Sequence, residues 1–292
     1  MDHLLAHRTA RLASARTLLF VPADRPERFL KACASGADAV ILDLEDAVSP
    51  ARKAFARSCL AEWLAQPFHG ERPSLVVRIN GFDAQDLDAE LALADAPVVD
   101  GLMLPKAQST LDIAWVHRVL PSKPLLPLIE TAVGVHAIEE VARVPGVVRL
   151  VFGSVDLMLD LGVTEEAALD VYSALMVLHS RVLGLPAPID GVTRQITDLQ
   201  ALSSAASKAR ARGWGGKLCI HPCQVDIVDR AFRPSDEELV SARRIVEAAQ
   251  AQGTGAIALD GAMIDVPIVL QARRTLAEAA VRAMQPHIGV SS

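Results

Sequence analysis

AVILDLEDAV, residues 39–48, opens on four apolar residues and closes on three carboxylates, Asp43, Glu45 and Asp46. A short apolar run without polar alternation predicts a strand buried on both faces, which is how the strands of a parallel sheet read. Comparable runs recur along the chain: TLLFVPA (17–23), SLVVRIN (74–80), VDGLMLPKA (99–107), PLLPLIET (124–131), VVRLVFGSVD (147–156), APIDGV (187–192) and GGKLCIHP (215–222). Between them lie Ala-rich stretches of helical periodicity. In PERFLKACASG (26–36), for example, Phe29, Leu30 and Cys33 are predicted to share one face, with Gly36 as the stop. Eight strand-helix units joined by crossovers predict the α/β class and a (β/α)8 TIM barrel.

No Gly/Ser linker interrupts the series, so residues 1–233 read as one barrel behind a short N-terminal helix. Residues 234–292 read as a C-terminal helical arm or lid that also serves oligomerisation and is not an independent domain. Its first helix begins at SDEEL, where Ser235 and Glu238 have capping-box spacing. An extended or hairpin-like piece and a last helix follow Gly253.

Composition narrows the partners. Of 292 residues 51% are hydrophobic and 4% aromatic, which suits a large aliphatic core. No apolar run reaches the roughly 20 residues of a bilayer span, so no membrane association is expected. The net charge of -6, without a basic stripe interleaved with aromatics, argues against nucleic acid and for a small-molecule substrate. Four cysteines without a C-x-x-C pair fit a reducing cytoplasm. The Arg-rich opening MDHLLAHRTARLASAR has transit-peptide composition but no secretory h-region, and reads as a plain N-terminal helix in preference to an organelle-targeting segment.

In such a barrel the site forms where strands end and their loops begin. Those ends are polar: Asp43, Glu45 and Asp46 after the second strand, Arg78 and Asn80 after the third, Lys106 after the fourth, Glu130 after the fifth, Asp156 after the sixth, Asp190 after the seventh and His221 after the eighth. Acids converging from separate strands repel unless a cation sits among them, and all-oxygen ligands select a hard divalent ion, Mg2+. Each carboxylate alone reads better as a helix cap or an ion-pair partner; the run of such ends from separate strands is what favours the cation. Lys106 suits a substrate carboxylate or the acids of the second strand better than a Schiff base.

RTLLFVPADRPERF, AVILDLEDAV, VVRIN, GLMLPKA, PLIETAVGV, VFGSVDLMLDLG, KLCIHPCQV and GAMIDVPIVLQAR stand in the order and near the spacing of the citrate lyase beta-subunit-like proteins of the HpcH/HpaI aldolase superfamily. The sequence resembles that family from about Thr17 to about Arg274. The resemblance implies a Mg2+-dependent TIM barrel, a homotrimer or hexamer, whose C-terminal arm leans over a neighbouring subunit. It implies Glu130 and Asp156 as metal ligands and Arg78 as the arginine at the thioester or enolate oxygen. Glu45 and Asp46 match acids that hold metal-bound waters or the nearby Arg and Lys. Asp265 matches a lid acid/base supplied in trans, and Arg16 and Pro22 lie where contact with CoA begins. Substrate binding is thus expected of Arg78, Glu130, Lys106, Arg16 and Pro22.

The implied activity is carbon-carbon cleavage of a 3-hydroxyacyl thioester, CoA-linked and of malyl, citramalyl or citryl type. The rivals are a malyl-CoA-type thioesterase on the same site, a pyruvate-type class II aldolase and a non-catalytic metabolite-binding subunit. Two departures bear on substrate: Val155 stands where many members carry an acid, and Ala23 where many carry Gly.

Overall fold

The computed structural model describes residues 2–68, 70–252, 257–259 and 262–283. Two compact units divide the chain after Phe232. The first is a closed barrel of eight parallel strands: β1 (Thr17–Pro22), β2 (Ala39–Asp43), β3 (Ser74–Arg78), β4 (Gly101–Leu104), β5 (Leu125–Ile129), β6 (Val151–Phe152), β7 (Ile189–Asp190) and β8 (Gly216–Cys219). Each strand pairs with its sequence neighbours, and β1 closes the ring on β8 through Thr17↔Lys217, Leu18↔Leu218 and Leu19↔Cys219. The (β/α)8 expectation is met, and all eight strands lie within the apolar runs named above.

Alternation along each strand sorts the core into two layers. Leu18, Ile41, Val76, Met103, Leu126, Val151, Ile189 and Leu218 fill the barrel, while Leu19, Val40, Leu42, Leu75, Val77 and Leu102 pack under the helices. This parity places functional groups: Asp43 continues the inward series of Ile41, Arg78 that of Val76, and Glu130 that of Leu126 and Leu128. The N-terminal helix Asp2–Ser14 adds Leu12 to the inner layer and closes the end of the barrel where the strands begin.

Cations serve that closed end. Arg149, 1% exposed, donates to the carbonyls of Leu12, Ala15 and Ala187 at 3.0, 2.6 and 2.6 Å. Lys123, 2% exposed, donates to Ala96 O and Val99 O at 2.7 and 2.8 Å. Burial lowers the Lys123 pKa to about 8, with Arg8 adding to the effect. One local expectation is corrected. After a 3-10 turn at Pro26–Arg28, the helix Phe29–Cys33 buries Phe29 and Ala32, whereas Leu30 is 73% exposed. Leu30 follows Phe29 by one residue and so sits about 100° around the helix from it.

The second unit contains the helix Asp236–Gln252, an antiparallel pair Ile257–Leu259 and Ala262–Ile264, and the helix Val266–Ala283. Its capping box forms: Glu238 N donates to Ser235 Oγ at 3.1 Å, and Ser235 N to Glu238 Oε2 at 2.7 Å. Among the described residues, no helix is long and apolar enough to cross a membrane.

Candidate active site

The polar strand ends meet at the mouth of the barrel around Arg78, which is 7% exposed. Its Nε and Nη2 donate to the two oxygens of Asp43, both at 2.6 Å, in a bidentate fork. Nη1 lies 2.8 Å from Glu45 Oε2 and 3.7 Å from Asp46 Oδ2. The Phe20 ring of β1 lies under the guanidinium, 4.7 Å from Cζ to the ring centroid. Burial works against the charge, but Asp43, Glu45 and Asp46 outweigh it and hold the Arg78 pKa above its ordinary value. Asp43 itself is fully buried and also accepts the amides of Glu45 and Ala47 at 2.9 and 3.2 Å, so it shapes the loop that presents Glu45.

Lys106 joins two carboxylates. Its Nζ reaches Glu45 Oε1 at 2.5 Å, and its amide donates to Glu130 Oε1 at 2.7 Å. The residue has φ 46°, the left-handed region that a non-glycine residue rarely enters, and the turn points the amide back at β5. Burial opposes its charge, and the Glu45 hydrogen bond and field raise its pKa all the same.

Glu130, 1% exposed, contrasts with Glu45, which already has Arg78 and Lys106. Burial raises the Glu130 pKa to about 8; the Lys106 amide counters this, Glu45 and Asp156 add to it, and Arg78 opposes it. Room for the carboxylate comes from Gly153, where a Cβ would fall 2.4 Å from Glu130 Cβ and 2.6 Å from its Oε2. Asp156 sits in the first turn of the helix Ser154–Leu161, immediately after β6. Among the described residues, no group of three or more His, Cys, Asp or Glu is arranged to hold a metal by itself. A cation here would take two carboxylates from the chain and its other ligands from water or substrate, which is the habit of Mg2+.

Asp43, Glu45, Asp46, Arg78, Lys106, Glu130 and Asp156 thus gather at one end. Pro22 closes β1 at the same end, its carbonyl accepting Arg25 N at 3.0 Å. Arg16 does not join them, and the expectation that it meets substrate is corrected. It precedes β1 at the closed end of the barrel, 9% exposed, with Nη1 4.0 Å from Asp229. Asp190 pairs with Lys217 Nζ at 2.6 Å beside β8, and His221 caps the helix Pro222–Phe232. Asp265 belongs to the second unit, where it is exposed and its Oδ1 accepts Ile268 N at 3.4 Å in front of the last helix. Three contributors escaped the sequence reading: Asp43 as the Arg78 clamp, Phe20 as its platform and Gly153 as the gap. Inward parity from Ile41 and Leu18 is the signal for the first two.

Fold and site together define a (β/α)8 barrel protein with an acidic, arginine-clamped mouth. The chain belongs to the HpcH/HpaI aldolase/citrate lyase family, whose sequence profile matches residues 16–222. It is 37% identical over 268 residues to a citrate lyase subunit beta-like protein of Mycobacterium tuberculosis, covering 89% of this chain and 94% of that one. It is also 33% identical over 270 residues to a (3S)-malyl-CoA thioesterase of Cereibacter sphaeroides, covering 90% and 94%. The crystal structure of CitE from Mycobacterium tuberculosis in complex with magnesium, acetoacetate and coenzyme A superposes with a TM-score of 0.80 at 34% identity, over 92% of this chain and 99% of that one.

Proposed function

We propose that the barrel mouth is the active site of a Mg2+-dependent carbon-carbon lyase. It cleaves, or in reverse forms, a CoA-linked 3-hydroxyacyl thioester of malyl, citramalyl or citryl type, giving an acyl-CoA and a 2-oxo acid. The observation that carries this reading is Glu130: a buried carboxylate beside Glu45 and Asp156 that accepts its hydrogen bond from the Lys106 amide and not from a cationic side chain. A hard cation relieves that crowding, and Glu130 and Asp156 would hold it. The solved relative that carries magnesium and coenzyme A supports the same assignment.

Bound there, Mg2+ supplies Lewis-acid polarisation of the oxo-acid carbonyl. The chain's own groups do the rest. Arg78, fixed by Asp43, presents its remaining N–H edge to the thioester fragment and stabilises the enolate oxygen, where charge appears only in the transition state. Lys106 offers its ammonium to the substrate carboxylate, Glu45 and Asp46 hold ordered water, and Pro22 borders the CoA side. Asp265 moves the proton at the carbon that separates. It is supplied by a neighbouring copy in a homotrimer or hexamer.

The test is mass spectrometry of the protein with Mg2+ and malyl-, citramalyl- and 3-hydroxy-3-methylglutaryl-CoA, with Glu130→Ala as control. An acyl-CoA and an oxo acid are the expected products. Free CoA with intact hydroxy acid moves the protein to the thioesterases, the reading favoured by its likeness to the Cereibacter sphaeroides relatives. Mixed oligomers of Glu130→Ala and Asp265→Ala protomers should recover activity that neither has alone; no recovery argues against a shared site.

A further inference from the structure

A second chemical group lies on the same end of the barrel and takes no part in the reading above. The sequence IHPCQ, residues 220–224, carries the chain from β8 into the helix Pro222–Phe232. Gln224 Oε1 accepts the amides of Ile220 and His221 at 2.8 and 3.3 Å, the reach-back of a capping box. Its Nε2 donates to Thr193 O at 3.0 Å and Gln195 O at 3.4 Å, tying down the loop after β7. In this braced turn His221 Nδ1 lies 2.9 Å from Cys223 Sγ and accepts the Cys223 amide at 3.2 Å.

That amide can only donate, so Nδ1 carries a lone pair and the imidazole holds its own proton on Nε2. The nitrogen facing Sγ is therefore an acceptor, its lone pair shared between the Cys223 amide and the thiol, whose other acceptor is Ile196 O. Cys223 is also the exposed cysteine of the four; Cys33 is half-buried, and Cys59 and Cys219 are buried. Burial pushes the Cys33 thiol up to about 11 and the Cys219 thiol up to about 12, and raises that of Cys59. Three thiols are thus silenced while the fourth has a base and a helix N-terminus beside it.

We propose that Cys223 and His221 form a reactive thiol pair that takes up low-molecular-weight disulfides by thiol–disulfide exchange. Nδ1 receives the thiol proton and the Cys223 sulfur attacks one sulfur of the reagent. The reagent's S–S bond breaks as the mixed disulfide forms. The departing thiolate takes a proton, so Cys223 is oxidised and half of the reagent reduced. The adduct sits beside Ile196, whose carbonyl is 3.8 Å from Sγ, at the rim loop after β7.

The test incubates the full chain with oxidised glutathione at neutral pH and follows the adduct by intact mass and peptide mapping. One adduct is expected, on Cys223, absent in Cys223→Ser and forming faster in the native protein than on the same cysteine in the unfolded chain. His221→Asn keeps a good helix cap but has no base. It is expected to slow the reaction about tenfold. A His221→Asn rate equal to wild type reduces His221 to a cap and overturns the proposal. So does an adduct on Cys33, or a native rate no higher than the unfolded one.

Discussion

The two ends of the barrel handle buried charge in opposite ways. At the closed end two buried cations are spent on backbone carbonyls, Arg149 on Leu12, Ala15 and Ala187 and Lys123 on Ala96 and Val99, and the buried acids there, Asp100 and Asp229, face arginines. At the mouth the surplus is anionic, with Asp43, Glu45, Asp46, Glu130 and Asp156 against Arg78, Lys106 and Lys53, whose ammonium sits on Leu44 O, Glu45 O and Asn80 Oδ1. Strand starts need donors for the loop carbonyls that gather there, and long basic side chains supply them within the protein. The mouth keeps an unmet demand for positive charge at Glu130. Arg149 and Lys123 find their partners in the backbone, whereas Glu130 has an amide and no cationic side chain on it.

The sharpest break of this contrast exchanges activity for stability. Glu130→Gln should lower turnover about a thousandfold, or ~4 kcal/mol of barrel-mouth chemistry. In Mg2+-free buffer at pH 8 it should melt no earlier than wild type, because it removes a crowded carboxylate, and it should lose the rise in melting temperature that Mg2+ gives. An early melt would make Glu130 a structural residue. Arg149→Met should do the reverse, costing about 3 kcal/mol by stranding buried carbonyls, or about 8 °C in a calorimetric scan, with turnover below the transition retained. A melting change under 2 °C, on the order of half a kcal/mol, would remove Arg149 from the supports of that end.

The ends should also respond to pH with opposite slopes. The folded-state pKa of Lys123 is about 8 against 10.5 in its ordinary state, so the unfolded chain holds more protons between these values. Stability contributed there rises from pH 8 to 10.5, by up to ~1.4 kcal/mol per pH unit. For Glu130 the folded state holds the extra proton between 4.5 and about 8, so without Mg2+ stability falls across that window. Urea melts of Lys123→Met and Glu130→Gln in EDTA should each flatten one slope; a variant that keeps its slope removes that group from the account. The smallest effect lies outside the barrel. Ser235→Ala should cost about 1 kcal/mol through the lost cap, read by hydrogen exchange in Asp236–Gln252.

Much of this was legible in residue order. Apolar runs of the right length and number specify the barrel because each strand of a parallel barrel is covered on both faces. The polar ends of β2, β3 and β5 mark the mouth because they follow unbroken apolar positions and are buried only in company with one another and with backbone amides. Arg16 misled because a motif match locates a residue in the family pattern and not along its strand, and Arg16 stands at the strand's beginning. The Arg149 contacts were illegible: its partners are backbone carbonyls more than 130 residues upstream and 38 downstream, and carbonyls have no sequence identity. The left-handed turn at Lys106 carries no Gly or Asn to announce it. Pairing of Asp43 with Arg78 was within reach, since inward parity puts both on the same layer.

Lys106 touches Glu45 with its ammonium and Glu130 with its amide. Two nuclei of a single residue, the side-chain nitrogen and the backbone nitrogen, therefore stand as separate spectroscopic reporters on two neighbouring carboxylates. A lysine-labelled sample followed by nuclear magnetic resonance would read the filling of the mouth at Glu130 and the state of the Arg78 clamp at Glu45 from one spin system.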